Sequence, residues 1–125
     1  MQRRHTDAAA RFEARRQREQ EAPRLLTEVP SLEGLRIEIE ERRSGSTVAE
    51  ANHIRRVVIE SAPALFIINC GDRDCHDGGH DVTYTVMSSL RRGAARFEGE
   101  DVCHGNVRTT TCGRVIRYVG IATYR

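Results

Sequence analysis

The sequence contains no lysine and no tryptophan, and it has few aromatic residues of any kind. All twenty of its basic residues are arginine, and eighteen acidic residues offset them to a net charge of +2. This balance is far from the strongly basic composition of a dedicated nucleic-acid-binding domain. Aromatic residues make up only 5% of the chain, so the core has to be built from Val, Ile, Leu and Ala.

Long apolar runs are also missing. No stretch approaches the roughly 20 residues that a membrane-spanning helix needs, and the charged segment after Met1 differs from a secretory signal peptide. We therefore expect a cytoplasmic protein without a membrane partner. Thiols stay reduced in that compartment, where closely spaced cysteines bind metal more often than they form disulfides.

The 125 residues suggest one domain with a charged extension. Residues 1–23 are rich in Arg, Glu, Gln and Ala, which favour a helix, and Pro23 is expected to end it. Phe12 is the only large apolar residue after Met1 in this segment, so the helix has no apolar stripe to bury. We predict an exposed, charged helical arm over 1–23 and a folded domain over 24–125.

Hydrophobic periodicity predicts several strands within the domain. Leu35, Ile37 and Ile39 alternate with charged residues, as in a strand with one buried face. The run at 64–69 is almost continuously apolar and leads directly into Cys70, which is typical of a strand that is buried on both faces. Strands are therefore predicted in a mostly antiparallel sheet, near 35–42, 53–60, 64–69, 95–99 and 114–124.

One helix is predicted within the domain, near 81–92. Val82, Val86 and Leu90 recur there at helical spacing and form an apolar stripe. Gly93 suits the position that follows the last helical turn. The predicted fold class is accordingly α+β, with a mostly antiparallel sheet, one packed helix, a four-cysteine zinc site and a peripheral N-terminal helix.

The four cysteines form two close pairs, which are the main functional signal in the sequence. Cys70 and Cys75 enclose one short polar loop, and Cys103 and Cys112 enclose another at the predicted hairpin between the last two strands. Two pairs of thiols on two loops supply the four ligands of a tetrahedral Zn²⁺ site, with zinc–sulfur distances of about 2.3 Å. We therefore predict one Zn²⁺ ion bound by all four cysteines.

Other interpretations of the cysteine loops stay open. They include structural disulfides, unrelated buried thiols and a redox or catalytic cysteine. His80 is an alternative ligand; an open coordination position on zinc would then permit metal-assisted hydrolysis. His76 and His104 directly follow cysteines and are expected beside the site, in contact with its ligands or with solvent.

Aspartates in tight loops more often form turns than act as bases. The nearby candidates for a base are Asp72, Asp74, Asp77, Asp81, Glu100 and Asp101.

The four cysteines, together with the hairpin after Phe97 and the helix from Val82, resemble zinc-ribbon and treble-clef-like modules. The order of elements differs from the usual ribbon, which uses two hairpins. The resemblance implies binding to nucleic acid or to protein. The sequence signatures of zinc deaminases, zinc peptidases, P-loop proteins and nucleophile-elbow hydrolases are absent from the chain.

We expect a small zinc-binding module without catalytic activity that binds a protein or a nucleic acid. The alternatives are a small zinc-dependent hydrolase and a structural subunit that joins an assembly through its N-terminal helix. Guanidinium groups bind both phosphate and carboxylate. The arginines predicted to contact a partner are Arg91, Arg92, Arg108 and Arg114.

Overall fold

The computed structural model describes residues 2–125, with side chains from residue 9 onward. Two helical segments, α1 (Gln2–Glu21) and α2 (Leu25–Glu28), precede the first long strand, β1 (Leu32–Arg42). The elements that follow are, in order, β2 (Ala51–Arg56), β3 (Ile67–Ile68), β4 (Cys75–His76), β5 (His80–Asp81), α3 (Thr83–Arg91), β6 (Arg96–Val102), β7 (Asn106–Val107), β8 (Thr110–Thr111) and β9 (Val115–Tyr124). This combination of few helices and many strands confirms the predicted α+β class.

The core is built on a four-stranded sheet in the order β2-β1-β9-β6, in which every neighbouring pair is antiparallel. Side chains alternate across β1, so that Leu35, Ile37 and Ile39 are buried and the residues between them are more exposed. Tyr118 of β9 lies opposite Ile39 and is also buried. The predicted half-buried strand and the antiparallel sheet are therefore confirmed.

The apolar run at 64–69 does not form a strand of the main sheet, so this part of the prediction is wrong. Only Ile67–Ile68 within it forms a strand, β3, and this strand pairs with β5 instead. The backbone of Phe66 bonds to the start of α3, where its N–H donates to Thr83 Oγ1 (2.8 Å) and its carbonyl accepts from Val82 N–H (2.9 Å). The run is apolar because Phe66 and Ile68 pack into the core, although it does not pair with any strand of the main sheet.

The other predicted strands lie close to their observed positions. β2 begins and ends earlier than the predicted 53–60, because the chain leaves the sheet after Arg56. β6 extends beyond the predicted 95–99, and β9 matches 114–124 closely. The extension of β6 brings the chain directly to Cys103.

Helix α3 packs on the main sheet with the predicted apolar stripe. Val82, Val86 and Leu90 are all buried in the same hydrophobic core as the strands. The helix ends at Arg91, and Gly93 follows it in a left-handed conformation (φ +73°) and donates its N–H to the carbonyl of Leu90 at 3.0 Å. This is the helix termination that glycine favours, and the predicted packed helix is confirmed.

Helix α1 lies against the segment between β3 and α3 and contacts it through polar groups. Phe12, its only large apolar residue, is 69% exposed, so the helix is peripheral, as predicted. No helix within residues 2–125 is long and apolar enough to cross a membrane. Three arginines on one face of α1 make the contact: Arg11 pairs with Asp77 (3.0 Å), Arg15 donates to the carbonyl of Ile67 (3.3 Å), and Arg18 pairs with Asp81 (2.9 Å).

Deletion of residues 1–22 is expected to change the thermal stability little. Exposed ion pairs contribute about 0–1 kcal/mol each, and no side chain among residues 9–21 is fully buried. The free energies of unfolding of the full and shortened chains should therefore differ by less than about 2 kcal/mol. High salt should reduce the difference further, because it screens exposed charges. Loss of the cooperative transition on deletion would show that 1–23 belongs to the folded domain.

Candidate metal centre

The sulfur atoms of all four cysteines meet at one place in the fold, which we call the cysteine cluster. Cys70 Sγ lies 3.7 Å from Cys112 Sγ, and Cys75 Sγ lies 3.6 Å from Cys103 Sγ. All four sulfur atoms lie within 4.8 Å of one another, and all four cysteines are free thiols. Four sulfurs bound tetrahedrally to one ion at about 2.3 Å would lie about 3.8 Å apart. The cluster therefore has the dimensions of a four-thiolate metal site.

Short strands hold the four cysteines in place. Cys103 directly follows β6, and Cys112 directly follows β8. The N–H of Cys103 donates to the carbonyl of Arg114 at 2.8 Å across the hairpin. Cys75 opens β4, which pairs with β7 inside the second cysteine loop. The second cysteine pair thus lies at the end of the β6–β9 hairpin, as predicted, and a small sheet, β4-β7-β8, links the two loops.

Two glycines leave room for the sulfur atoms. A Cβ atom at Gly78 would lie 2.6 Å from Cys103 Sγ, and a Cβ atom at Gly105 would lie 2.5 Å from Cys75 Sγ. Both distances are well below the separation of atoms in van der Waals contact. Space around the sulfurs therefore requires residues without a side chain at these two positions.

Gly78→Ala is expected to weaken metal binding and to destabilise the fold. The added methyl group would displace sulfur ligands, and overpacking of this kind costs about 1–3 kcal/mol. Competition with a chelator and thermal unfolding would measure the two effects. Gly34→Ala is a suitable control for overpacking elsewhere in the fold, because the added Cβ atom would lie 2.8 Å from Thr123 Oγ1 and would leave the sulfur atoms untouched. Unchanged metal affinity in Gly78→Ala would contradict the prediction that these sulfur atoms bind the ion.

Burial and hydrogen bonds shift the pKa values of Cys70, Cys75 and Cys103. Burial is the main cause that raises the pKa of Cys70 to about 12, and burial followed by the neighbouring thiols raises the pKa of Cys75 even further. Burial also acts to raise the pKa of Cys103, but hydrogen bonds, above all from Gly79 and Gly105 N–H groups, lower it below its usual value. The Gly79 N–H lies 3.3 Å from Cys103 Sγ. Clustered thiols cannot all lose their protons without a nearby cation, and a bound dication would supply that charge.

Glu41 joins both cysteine loops to the main sheet. It is 3% exposed, accepts a hydrogen bond from Gly71 N–H (3.0 Å) and forms an ion pair with Arg114. Arg114 also pairs with Glu50 at 2.9 Å. Burial acts to lower the pKa of Arg114, but the two carboxylates raise it above its usual value. Gly71 belongs to the first loop and Arg114 follows the second, so one buried carboxylate orients both.

Glu41 was not among the residues identified from the sequence. It occupies the next inward-facing position of β1 after Leu35, Ile37 and Ile39. A buried carboxylate is costly unless it is paired and hydrogen-bonded. The sequence signal that could have identified Glu41 is therefore an acidic residue at a position where the alternation of the strand predicts a buried side chain.

The histidines lie outside the cysteine cluster in the part of the chain that the structure describes. His80, the predicted alternative ligand, is buried, and its Nδ1 lies 2.8 Å from Asp101 Oδ2. His76 lies in β4, where it pairs with Asn106 of β7, and His104 is exposed. The ligand set that the geometry brings together is therefore the four cysteines without His80.

Most of the acidic residues considered as bases have structural partners. Asp72 Oδ1 accepts a hydrogen bond from Asp74 N–H at 2.9 Å, which is the turn contact expected of aspartate in a tight loop. No Asp or Glu among the described residues belongs to the cysteine cluster. The other candidates pair as follows: Asp77 with Arg11, Asp81 with Arg18, Glu100 with Arg42, and Asp101 with His80.

The four arginines predicted to contact a partner have different surroundings. The side chain of Arg114 is 14% exposed and is engaged by two carboxylates. Arg91 lies 3.9 Å from Glu28, and Arg92 donates to a serine hydroxyl of α3 at 3.4 Å. Arg108 is exposed in the turn between β7 and β8. Arg114 therefore holds the cysteine loops in place, whereas Arg108 faces solvent.

Comparisons with protein-family models, with curated proteins and with solved structures find no significant match to this chain. The kind of site is therefore inferred from its geometry alone. That geometry is a four-cysteine cluster at metal-binding distance within a mostly antiparallel α+β fold.

Proposed function

We propose that this chain is a zinc protein in which the ion cross-links the fold, and that it acts as a small binding module without catalytic activity. The observation that carries the proposal is the sulfur spacing of the cysteine cluster, 3.6 and 3.7 Å for two of its pairs. Tetrahedral sites of four sulfurs suit zinc or iron. Zinc is proposed because it has no redox chemistry and is common in closed four-cysteine sites.

A structural role fits the cluster because protein ligands fill all four positions around a tetrahedral ion. A catalytic zinc site keeps one position open for water or substrate. Within the described residues, no His, Asp or Glu belongs to the cluster in place of a cysteine. These features favour the non-catalytic role over the alternative of a small zinc hydrolase.

The strands around the cluster explain why a metal cross-link would matter. β3, β4, β5, β7 and β8 contain two residues each, and isolated short hairpins are at best marginally stable in water. The sheets that they form, β3-β5 and β4-β7-β8, are separate from the main sheet. An ion bound by the four cysteines would join the loop after β3 to the β6–β9 hairpin and stabilise both.

The binding role is supported by the position of the two cysteine loops. Both carry exposed charged residues, including Arg73 and Arg108, and a metal ion would hold these residues rigidly. A rigid loop loses less conformational entropy when it binds a partner. The alternative role as an assembly subunit depends on α1, whose Arg11 and Arg18 bond to the same chain here.

Metal analysis of protein purified under reducing conditions tests this proposal. We expect one zinc ion per chain. After removal of zinc, the reduced protein should take up one equivalent of Co²⁺ with the visible absorption of a tetrahedral cobalt–thiolate complex. Iron in place of zinc, or folded protein without any metal, would contradict the proposal.

A further inference from the structure

Each cysteine loop carries one exposed arginine, Arg73 in the first loop and Arg108 in the second. Within residues 9–125, neither side chain has a hydrogen bond or an ion pair. Most other arginines in this part of the chain do have such a partner; the nearby Arg43, for example, lies 2.6 Å from Glu50. Two cations without partners therefore lie on the loops that the metal would hold.

An open groove with a volume of about 970 Å³ lies between the two loops. Arg73 and Arg108 both line it, together with three consecutive threonines, Thr109, Thr110 and Thr111. The threonines are exposed, and their hydroxyl groups have no hydrogen-bond partner in the described part of the chain. Of the four arginines that line the groove, Arg73 and Arg108 are therefore the two whose guanidinium groups have no partner, and the threonines add neutral donors near them.

Arg108 adopts a backbone conformation that L-residues rarely occupy, with φ = +58°. It lies in the two-residue turn between Val107 and Thr110, which pair across β7 and β8. Non-glycine residues in this region cost free energy and are concentrated at functional sites. Glycine would fit the turn without strain, so the presence of arginine at this position points to a use for its side chain.

We propose that this groove binds the phosphate backbone of a nucleic acid, an inference that rests on the proposed binding function and specifies its partner. Guanidinium and hydroxyl groups are the usual protein donors to phosphate oxygens. Hydroxyl donors near the two guanidinium groups favour phosphate, whose oxygens accept hydrogen bonds in several directions, over the planar carboxylates of an acidic peptide.

The composition of the groove also determines what kind of binding to expect. No phenylalanine or tyrosine of the described side chains lines it, so bases have no aromatic surface on which to stack. Glu50, Asp72 and Asp74 line it as well and would reduce its attraction for anions. Binding should therefore be weak, independent of base sequence and sensitive to salt.

Titration of the zinc-loaded full chain with a labelled oligothymidylate, at several salt concentrations, tests the proposal. Each phosphate contact on a single strand contributes about −0.7 to the slope of log K against log salt concentration. The double variant Arg73→Ala/Arg108→Gly should bind more weakly and should reduce the magnitude of this slope by about 1.4. Glycine suits the positive φ at position 108, so this variant should keep the zinc content and melting temperature of the wild type.

A matched control is Arg56→Ala/Arg125→Ala, which makes the same change in net charge. Both arginines are exposed, lie outside the groove and have no side-chain partner among the described residues. The control should bind as the wild type does. An equal loss of binding in both double variants would overturn the proposal, because it would show a general effect of charge.

Further ligands separate the proposed partner from others. Lack of binding to both oligothymidylate and a DNA duplex at low salt would overturn the proposal. Equally tight, Arg73-dependent binding of polyglutamate would overturn it in favour of an acidic protein partner. Inorganic phosphate that binds as tightly as the polymer would show that the backbone of a nucleic acid is not required. Zinc content should be measured on the same samples. A chain that holds zinc but binds no oligonucleotide would contradict the proposal for the groove and leave the proposal for the metal site standing.

Discussion

Replacement of Cys112 by serine should release the metal ion and destabilise the whole domain. Its sulfur lies 3.7 Å from that of Cys70, so the substitution removes a ligand that joins two segments far apart in the sequence. The binding free energy of structural zinc is comparable to the total stability of a small domain. We expect a loss of about 5 kcal/mol or more in the free energy of unfolding, measured by denaturant unfolding under reducing conditions.

Removal of the metal from the wild-type protein should reproduce this effect. A chelator should lower the free energy of unfolding of the wild-type protein by about as much as Cys112→Ser does. The stability of Cys112→Ser itself should change neither with chelator nor with added zinc. Acidification should also release zinc, because protons compete with the ion for the thiolates. The stability that zinc supplies is therefore present at neutral pH and is lost as the pH falls. A wild-type melting temperature in Cys112→Ser would show that the cysteine cluster has no structural metal.

Glu41→Ala should have the second-largest effect on stability. The substitution leaves the Arg114 guanidinium, which is 14% exposed, without its most buried partner. It also removes the acceptor of the Gly71 N–H. Removal of one member of a buried ion pair typically costs about 3–5 kcal/mol. Because the carboxylate bonds to the first cysteine loop and to Arg114, directly after the second loop, we expect metal affinity to fall together with the free energy of unfolding.

Two further variants distinguish a buried-charge effect from other causes. Glu38 lies on the same strand as Glu41, but its side chain is 45% exposed and lies 3.6 Å from Arg36. We expect Glu38→Ala to lower the free energy of unfolding by at most about 1 kcal/mol. The double variant Glu41→Leu/Arg114→Leu should regain part of the lost stability, because apolar residues can replace a buried pair. Equal effects of Glu38→Ala and Glu41→Ala would contradict the proposed role of Glu41.

Local patterns in the sequence were sufficient for the elements whose burial follows a regular period. The alternation of Leu35, Ile37 and Ile39 in β1 and the spacing of Val82, Val86 and Leu90 in α3 predict which faces are buried. Both patterns are borne out by the core of the structure. The pairing of the cysteines was equally informative, because metal coordination requires several ligands to meet at one point.

Contacts between distant segments could not be predicted in this way. The run at 64–69 is apolar for the reason that the sequence suggests, but apolarity does not specify a partner, and β3 pairs with β5 outside the main sheet. The bond between Glu41 and Gly71 joins residues that are far apart in the chain. From the sequence alone, the arginines of α1 likewise indicate a helix face that is exposed to solvent. In the fold, Arg11 and Arg18 instead pair with Asp77 and Asp81.

X-ray absorption spectroscopy at the zinc edge is the most direct test of the central claim, because it measures the ligands of the bound ion in solution. We predict four sulfur ligands at about 2.3 Å and no nitrogen or oxygen ligand. These sulfurs would be those of the cysteine cluster, which already lie within 4.8 Å of one another. A nitrogen or oxygen ligand in place of any sulfur would contradict the closed four-cysteine site and would favour a ligand set with His80 or with a bound water molecule.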